Sequence, residues 1–408
     1  MKCRFCQNPL SREFIDLVNS PPSNSYLRAE QLDEPEVFYP LGVFVCEKCF
    51  LVQIDEFKKA DEIFDETYAY FSSFSRTWLE HSKKYVEMMC RRFGFDETSQ
   101  VIEIASNDGY LLQFFQQRNV PVLGIEPTLS TAQAARDKGV ETWTEFFGAE
   151  LAEKLVEKNL QANLLLGNNV LAHVPNINDF VAGLKIALKP EGVVTMEFPH
   201  LLQLVENNQF DTIYHEHFSY LSFYTVKQIF ITQGLEIFDV EEISTHGGSL
   251  RIFAKHAEDK SKSVSLKVEN LWRKEAERGM LDLSYYLGFQ QKADKIKYDL
   301  LDFLVEQKRA GKKVAAYGAA AKGNTLLNYC GVKKDLIEFV ADASPHKQGL
   351  FLPASHIPIV DESFIKREKP DFVIILPWNI KEEVVEQLNY IRQWNGKFVV
   401  AIPSLEIY

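Results

Sequence analysis

Two pairs of closely spaced cysteines constrain the N-terminal part of this chain more than any other feature. Cys3 and Cys6 form one Cys-x-x-Cys turn, and Cys46 and Cys49 form a second. Each such turn directs two sulfur atoms toward one point, so two turns complete the tetrahedral thiolate site that zinc prefers. The second pair is predicted to lie between two short apolar strands, as in a zinc ribbon. Four thiolates leave no open coordination position, which favours a structural zinc.

The net charge of the chain limits the classes of molecule that it is expected to bind. The chain of 408 residues has 45 Lys and Arg against 57 Asp and Glu, a net charge of −12. This argues against affinity for nucleic acid through the phosphate backbone, and so against a nucleic-acid methyltransferase with a zinc ribbon. A small anionic ligand needs only local cations or backbone N–H groups and remains compatible with this charge. No apolar run is long enough for a membrane span or a signal peptide, so we expect a cytoplasmic protein that does not bind membranes.

Apolar strands alternate with helices in the central third of the chain. Strands are predicted over 100–104, 122–126, 162–166 and 192–199. The first is followed by a tight turn with a single glycine, Gly109, and then by an amphipathic helix. This alternation predicts a doubly wound parallel sheet whose ligands bind beyond the carboxyl ends of the strands.

The first turn indicates the kind of ligand. It begins at Glu103 and lacks the G-x-G-x-x-G pattern that brings backbone close to a pyrophosphate. A nucleoside without phosphates, such as S-adenosylmethionine, fits this turn better. Glu126 follows the turn by about 20 residues, where an acidic residue can accept both hydroxyls of a ribose. A Rossmann-like domain for another nucleotide is the alternative.

The segment 210–220 holds the densest set of reactive side chains. It contains Tyr214, Glu216 and His217, and His173 follows the third predicted strand at the same edge of the sheet. Histidine suits proton transfer near neutral pH, tyrosine can hydrogen-bond an oxyanion, and glutamate can orient an imidazole. Two alternatives to catalysis remain for this segment. The two histidines could bind a metal, but no third ligand lies at a suitable spacing, or the segment could be a solvated loop that contains histidines by chance.

A second alternation of strands and helices begins near residue 313. A strand over 313–317 precedes a turn of small residues and Lys322, and a strand over 336–342 precedes His346 and Lys347. Backbone N–H groups at a helix start, together with a lysine, can hold a phosphate. A second Rossmann-like sheet is therefore predicted, with a purely structural domain as the alternative.

Taken together, the motifs of this chain resemble the S-adenosylmethionine-dependent deoxysugar C-methyltransferases, which include nucleotide-sugar 3-C-methyltransferases. The resemblance covers essentially the whole chain, and the order of the motifs is more specific than any one of them. They are the paired Cys-x-x-Cys turns, Glu-Ile-Ala-Ser-Asn-Asp-Gly-Tyr-Leu-Leu, Asn-Asn-Val-Leu-Ala-His-Val, Tyr-His-Glu-His-Phe-Ser-Tyr and Tyr-Gly-Ala-Ala-Ala-Lys-Gly-Asn.

The resemblance implies an α/β protein of three parts. Residues 1–66 would form a zinc-binding module, and residues 67–260 a Rossmann-like class I methyltransferase domain. Residues 261–408 would form a second Rossmann-like domain that helps to bind the sugar nucleotide. The sequence leaves the oligomeric state open, with a monomer as the working expectation.

The resemblance also implies a role for each matching residue. The zinc ligands would be Cys3, Cys6, Cys46 and Cys49. The catalytic residues would be His217 and Tyr214 as the acid/base pair, with Glu216 and His173 as helpers. The cofactor-binding residues would be Tyr70, Ser72, Glu103, Ala105, Asn107, Asp108, Glu126, Pro127, Asn168 and Asn169. The substrate-binding residues would be Tyr214, Tyr317, Gly318, Lys322, Asn324, His346 and Lys347.

The implied reaction is methyl transfer from S-adenosylmethionine to C3 of a 4-keto-deoxysugar linked to a nucleotide, with dTDP expected. His217 would remove the C3 proton and Tyr214 would bind the enolate oxygen, although their roles could be exchanged. Deoxysugar, antibiotic or surface-glycan biosynthesis would use such a product. An O- or N-methyltransferase for a nucleotide-linked sugar is the alternative, and a binding module without turnover is disfavoured by the reactive segment 210–220.

Overall fold

The computed structural model describes residues 1–59 and 71–408 as three β-sheets with helices packed against them. The strands in chain order are β1 (Arg12–Ser20), β2 (Tyr39–Val45), β3 (Val52–Ile54), β4 (Val101–Ile104), β5 (Val122–Ile125), β6 (Thr142–Trp143), β7 (Ala162–Asn168), β8 (Leu188–Pro199), β9 (Ser219–Tyr220), β10 (Leu235–Ile243), β11 (Ser249–His256), β12 (Val314–Tyr317), β13 (Val340–Ala341), β14 (Ile359–Val360), β15 (Phe372–Ile375), β16 (Lys397–Val400) and β17 (Glu406–Ile407). The α-helices are α1 (Arg76–Phe93), α2 (Leu112–Gln116), α3 (Leu129–Asp137), α4 (Ala149–Glu157), α5 (Ile177–Ala187), α6 (Leu201–Glu206), α7 (Phe223–Thr232), α8 (Leu266–Glu277), α9 (Phe289–Arg309), α10 (Ala321–Cys330), α11 (Ser363–Glu368) and α12 (Lys381–Gln387).

The N-terminal sheet is antiparallel, in the order β1-β2-β3-β9. Strands β2 and β3 flank the second cysteine pair, as predicted. Strand β9 comes from the segment that follows Tyr-His-Glu-His, and it pairs Tyr220 with Val52. The amide of Ile54 extends this pairing by donating to the carbonyl of Phe218 at 3.2 Å. The zinc module and the reactive segment therefore share one sheet, which the sequence did not predict.

The central sheet has seven strands in the order β10-β11-β8-β7-β4-β5-β6. Strands β8, β7, β4, β5 and β6 are parallel, and β11 runs antiparallel to both of its neighbours. This is the strand order of the class I methyltransferase fold. Because helices cover both faces, the inner strands are mostly apolar; Leu164, Leu165 and Leu166 in β7 are fully buried.

The C-terminal sheet has the order β14-β13-β12-β15-β16-β17, in which only β17 is antiparallel to its neighbour. This confirms the predicted second Rossmann-like sheet. The predicted strand over 336–342 is shorter than expected, with only Val340 and Ala341 in the ladder. The amides of Leu336 and Ile337 both bond to the carbonyl of Lys333, so the preceding residues form a turn.

One buried apolar cluster connects the N-terminal sheet to the C-terminal sheet. It contains Phe14 of β1, Phe218 of the reactive segment, Phe289 of α9 and Ile374 of β15. The rings of Phe14 and Phe289 stack with centroids 4.8 Å apart. No described helix combines the length and apolar character that a membrane span requires.

Candidate active site

The four predicted metal ligands lie together. The sulfur atoms of Cys3, Cys6, Cys46 and Cys49 are all within 4.8 Å of one another. In each turn, the amide of the residue after the second cysteine donates to the carbonyl of the first cysteine at 2.9 Å. This set of four soft donors fits a single tetrahedral zinc ion without an open position.

The zinc module contacts the reactive segment through Arg4, which lies between the first two cysteines. Its guanidinium donates to the carbonyl of Ile54 at 2.7 Å and to the carbonyl of Pro175 at 2.8 Å. It also lies 5.4 Å from the centroid of the Phe218 ring. Arg4 therefore links the metal site to Pro175, close to His173 in the chain, and to Phe218, which directly follows His217.

A cavity of about 820 Å³ opens at the carboxyl ends of the central strands and extends to the C-terminal domain. The predicted site residues that line it are Ser72, Ala105, Asn107, Glu126, Pro127, Asn168, Asn169, His173, Tyr214, Glu216, His217, Lys322 and Lys347. Ligands of doubly wound sheets bind at this edge.

The turn after β4 and the end of β5 form one side of the cavity. Ala105 and Asn107 adopt left-handed φ values of 54° and 49°. The carboxylate of Glu126 accepts the amide of Asn107 at 2.9 Å and the amide of Thr128 at 3.0 Å. Burial raises the pKa of Glu126, although these backbone bonds act in the opposite direction. Its oxygens have further lone pairs that a ribose can use.

The residue after β7 supplies an unpaired polar atom to the cavity. Asn169 adopts a φ of 56°, lines the cavity, and has a buried Oδ1 without a hydrogen-bond partner among residues 1–59 and 71–408. A buried acceptor of this kind requires a donor from a ligand or water. Together with Glu126, it fits S-adenosylmethionine, which carries ribose hydroxyls and an amino group.

Two histidine rings meet on the opposite wall. The ring centroids of His173 and His217 are 4.7 Å apart, and the ring of Tyr214 is 4.0 Å from that of His217. His217 Nδ1 donates to the carbonyl of Thr212, and His173 Nδ1 donates to the carbonyl of Glu216, each at 2.8 Å. Because Nδ1 carries the hydrogen of His217, its Nε2 holds the lone pair.

Burial keeps both imidazoles neutral. It lowers the pKa of His217 well below the usual value of 6.5, and the neighbouring His173 lowers it further. Burial also lowers the pKa of His173 to about 4. A neutral His217 at neutral pH is in the form that a general base requires.

The carboxyl group of Glu216 does not have the predicted role of orienting an imidazole. It accepts a hydrogen bond from Asn24 Nδ2 at 2.7 Å, and burial raises its pKa to about 7. The backbone carbonyls of Thr212 and Glu216 orient the two rings instead.

Two half-buried lysines face the cavity from the C-terminal side. Lys322 Nζ donates to Asn379 Oδ1 at 2.7 Å and lies 4.5 Å from the Trp378 ring centroid. Lys347 Nζ donates to the carbonyl of Ala319 at 2.7 Å. Burial lowers the pKa of both lysines. These lysines give this side of the cavity a local positive charge, although the net charge of the protein is −12.

Two predicted substrate residues have packing roles instead of lining the cavity. The hydroxyl of Tyr317 accepts from Gln387 Nε2 at 2.8 Å, within the C-terminal domain. Asn324 Nδ2 donates to the carbonyl of Ser23 at 2.6 Å and so joins α10 to the N-terminal module. Both partners are distant in sequence and could not be predicted from it.

Two further predicted substrate residues also lie outside the cavity lining. Gly318 adopts a φ of 87°, and a Cβ there would be 2.5 Å from Pro377 Cδ, so glycine is required for close packing. The ring of His346 stacks on Phe74 with centroids 6.0 Å apart.

Two predicted cofactor residues, Glu103 and Asp108, lie outside the cavity lining. Glu103 is fully buried behind the cavity, and burial raises its pKa well above the usual value. Asp108 pairs with Lys138 at 2.9 Å, away from the cavity lining. Tyr70 lies outside the described residues.

Other residues of the cavity were not predicted. They include Trp78 of α1, Phe146 and Phe147 before α4, and His246 in the turn between β10 and β11. A histidine before two glycines was the available signal for His246, but this pattern alone does not indicate a site.

Comparisons with known proteins agree with this geometry. Residues 3–64 match the family model described as "Putative zinc binding domain", residues 78–240 match "Methyltransferase domain", and residues 244–403 match "C-methyltransferase C-terminal domain". The C-methyltransferase NovU of Streptomyces niveus is 32% identical over 403 residues, which are 99% of this chain and 96% of NovU. The chain belongs to the C-methyltransferase family. It is an S-adenosylmethionine-dependent C-methyltransferase with a structural zinc site.

Solved structures match less than half of the chain at low identity. The PH0226 protein of Pyrococcus horikoshii OT3 has a TM-score of 0.37 and 13% identity, over 49% of this chain and 99% of that chain. An S-adenosylmethionine-dependent methyltransferase of Mesorhizobium loti has a TM-score of 0.35 and 11% identity, over 44% of this chain and all of that chain (100%).

Proposed function

We propose that this C-methyltransferase methylates C3 of a nucleotide-linked 4-keto-deoxysugar through an enolate, with dTDP as the nucleotide. The product would serve deoxysugar, antibiotic or surface-glycan biosynthesis. The observation that carries the proposal is a neutral His217 with its Nε2 unbonded among the described residues, beside Tyr214 in the cavity that Asn169 also lines. The similarity to NovU, a C-methyltransferase, supports methylation at carbon.

The first step requires a base because the substrate carbon is not nucleophilic until it loses a proton. A C–H beside a ketone is a weak acid, and His217 Nε2 would accept the C3 proton. The carbonyl of Thr212, 2.8 Å from Nδ1, would then stabilise the imidazolium. One general base contributes roughly 10²–10⁴-fold to the rate.

Tyr214 would bind the charge that develops at O4 of the sugar. Its ring is 4.0 Å from that of His217, so one substrate can contact both residues. Loss of one oxyanion donor costs roughly 10²–10³-fold. If Tyr214 were the base instead, the variants described below would exchange their effects on proton removal.

The residues of the opposite wall would hold the methyl donor. S-adenosylmethionine, when bound, supplies an electrophilic methyl group on a sulfonium sulfur. Glu126 would accept the ribose hydroxyls, and Asn169 Oδ1 would accept from the amino group. The enolate carbon formed beside His217 would face this wall.

The nucleotide would occupy the C-terminal side of the cavity. Lys322 and Lys347 would bind its diphosphate, as charge-assisted hydrogen bonds are among the stronger polar contacts. We assign the zinc module to residues 1–66, the methyltransferase domain to 67–260 and the nucleotide-binding domain to 261–408 on this basis.

The test separates proton removal from methyl transfer. The enzyme is incubated in deuterated water with dTDP-4-keto-2,6-dideoxyglucose and S-adenosylhomocysteine, which fills the cofactor site without a methyl group. Mass spectrometry is expected to show deuterium at C3. With S-adenosylmethionine, NMR is expected to show a new methyl group on C3. A methyl group on oxygen or nitrogen would overturn the proposal in favour of an O- or N-methyltransferase.

Two variants assign the roles. His217→Asn is expected to lower exchange and methyl transfer together by roughly 10²–10⁴-fold. Tyr214→Phe is expected to lower methyl transfer by roughly 10²–10³-fold while the cofactor affinity stays unchanged. If neither variant lowers the rate of deuterium exchange, both residues are excluded as the base.

A further inference from the structure

The hairpin turn between β10 and β11 holds a histidine in an unusual conformation. His246 adopts φ 54° and ψ 27°, and it is followed by Gly247 and Gly248 at φ 87° and 113°. A left-handed conformation costs a residue with a side chain roughly 1–2 kcal/mol. Such strain is often found at functional sites, and this turn brings the imidazole to the cavity wall.

The contacts of His246 determine which nitrogen carries its hydrogen. Asn169 Nδ2 donates to His246 Nε2 at 2.9 Å, so Nε2 accepts and Nδ1 is protonated. The ring packs edge-on against Trp78, with centroids 5.3 Å apart. Among the residues that the structure describes, Nδ1 makes no hydrogen bond.

The ring also stays uncharged. Burial lowers the pKa of His246 to about 4, and the positive charge of Lys322 lowers it further. His246 is unsuited to act as a base because its Nε2, which holds the lone pair, already accepts from Asn169. A neutral imidazole with a free N–H is instead a fixed hydrogen-bond donor that does not give up its proton.

We propose that His246 is an additional catalytic residue, which donates a hydrogen bond from Nδ1 to an oxygen atom of the acceptor sugar. The inference rests on the proposed function. The acceptor is favoured over the cofactor because the turn that holds His246 packs against Trp378 on the acceptor side of the cavity. A Cβ on Gly247 would clash with the Trp378 ring, and Lys322 Nζ lies 4.5 Å from the centroid of the same ring. Asn169, at the carboxyl end of β7, fixes the ring between the two ligands.

Three substitutions at this position test the donor. In His246→Asn, the side-chain NH₂ lies near the former Nδ1, and asparagine tolerates left-handed φ. In His246→Gln, the amide reaches the former Nε2 and Asn169 instead. His246→Gly removes the side chain without backbone strain. We expect His246→Asn to keep most of the kcat, and the other two to lose roughly 10²–10³-fold, as for loss of an oxyanion donor.

The controls separate a donor from a residue that only supports the hairpin. Thermal unfolding shows whether each variant is folded, and calorimetry measures its affinity for S-adenosylhomocysteine. His246→Asn and His246→Gly both lose the contact with Asn169, so their affinities are expected to match each other, and a difference in kcat between them reports the donor. If His246 only positions Asn169, His246→Gln will keep activity and His246→Asn will lose it. That order of activities would overturn the proposal.

A measurement without substrate tests the same inference independently. In the enzyme labelled with ¹⁵N-histidine, the His246 signals are identified by their loss in His246→Asn, and they are expected to show the neutral Nδ1–H tautomer at pH 7. The Nε2–H tautomer would overturn the proposed donor. If the unchanged enzyme transfers no methyl group to the keto sugar, the proposed function fails, and the tautomer still decides whether Nδ1 is a donor.

Discussion

At the scale of single residues, the backbone sets the chemistry of the reactive side chains. The tautomers of His217 and His173 are fixed by the carbonyls of Thr212 and Glu216, not by carboxylates. A carbonyl acceptor adds no charge near the ring, so burial can keep both imidazoles neutral. The residue types predicted proton transfer, but only the folded segment determines which nitrogen is available.

The buried carboxyl of Asp211 gives a pH-dependent prediction. It accepts Trp378 Nε1 at 2.7 Å, and burial raises its pKa to about 7, although Lys322 acts in the opposite direction. Its pKa in the unfolded chain is about 3.9. Between these values the native state keeps a proton that the unfolded state has lost, so this group destabilises the fold progressively as pH rises through that window.

We therefore expect Asp211→Asn to become more stable relative to the unchanged enzyme as pH rises from about 4 to 7, and to level off above 7. The amide oxygen still accepts from Trp378, so the change isolates the ionisation. Urea unfolding at several pH values measures the difference. Asp211→Ala is the control. Its free energy of unfolding should be lower by roughly 1–3 kcal/mol at low pH as well, because Trp378 Nε1 loses its partner. A difference between Asp211→Asn and the unchanged enzyme that does not vary with pH would contradict the assignment.

The residues whose roles the sequence missed share one property, which is a partner far away in the chain. Glu216 bonds to Asn24, and Asn324 bonds to Ser23. The cysteine pairs, by contrast, were predictable because each pair of ligands lies within one turn. Local spacing predicted the zinc site and the reactive segment, whereas side-chain partners across domains depend on tertiary packing.

At the scale of elements, strand β9 couples the metal site to the active site. It pairs with β3 directly after the second cysteine turn, and His217 lies two residues before it. Two residues without a strong strand pattern could not indicate this pairing. The longer inner strands β4 and β7 were predictable because they are buried on both faces.

We expect removal of zinc to loosen this shared sheet. Treatment with a chelator should increase hydrogen exchange at the amide of Ile54, which donates to the carbonyl of Phe218, and in residues 219–220. Exchange mass spectrometry measures both segments, and addition of zinc should reverse the change. Residues 164–166 in the central sheet serve as the internal control. Faster exchange confined to the cysteine turns would show that the metal does not support the reactive segment.

At the scale of the whole molecule, the N-terminal and C-terminal sheets share one apolar core with helices and loops of the central domain. The cluster that includes Phe14, Phe210, Phe218 and Ile374 takes residues from the N-terminal module, the central domain and the C-terminal sheet. Alternation of strands and helices predicted two separate Rossmann-like sheets. It contained no information on the packing between them, because apolar residues look alike whether they face their own domain or another.

This shared core predicts that the chain unfolds as one unit. Ile374 is fully buried in the shared cluster, whereas its neighbour Val373 is fully buried in a separate cluster on the other face of β15. Ile374→Ala should lower the free energy of unfolding by roughly 2–5 kcal/mol, because a buried cavity replaces the lost side chain. If the sheets unfold together, this loss must weaken zinc binding although the metal lies at the other end of the chain.

The measurement follows urea unfolding by tryptophan fluorescence and by zinc release to a coloured chelator. We expect the two midpoints to coincide in the unchanged enzyme and to fall by the same amount in Ile374→Ala. Val373→Ala is the matched control, since it changes the same strand away from the shared cluster. Zinc release that keeps its midpoint in Ile374→Ala while the fluorescence midpoint falls would show that the C-terminal sheet unfolds independently, and that the contacts across the cavity contribute little to stability.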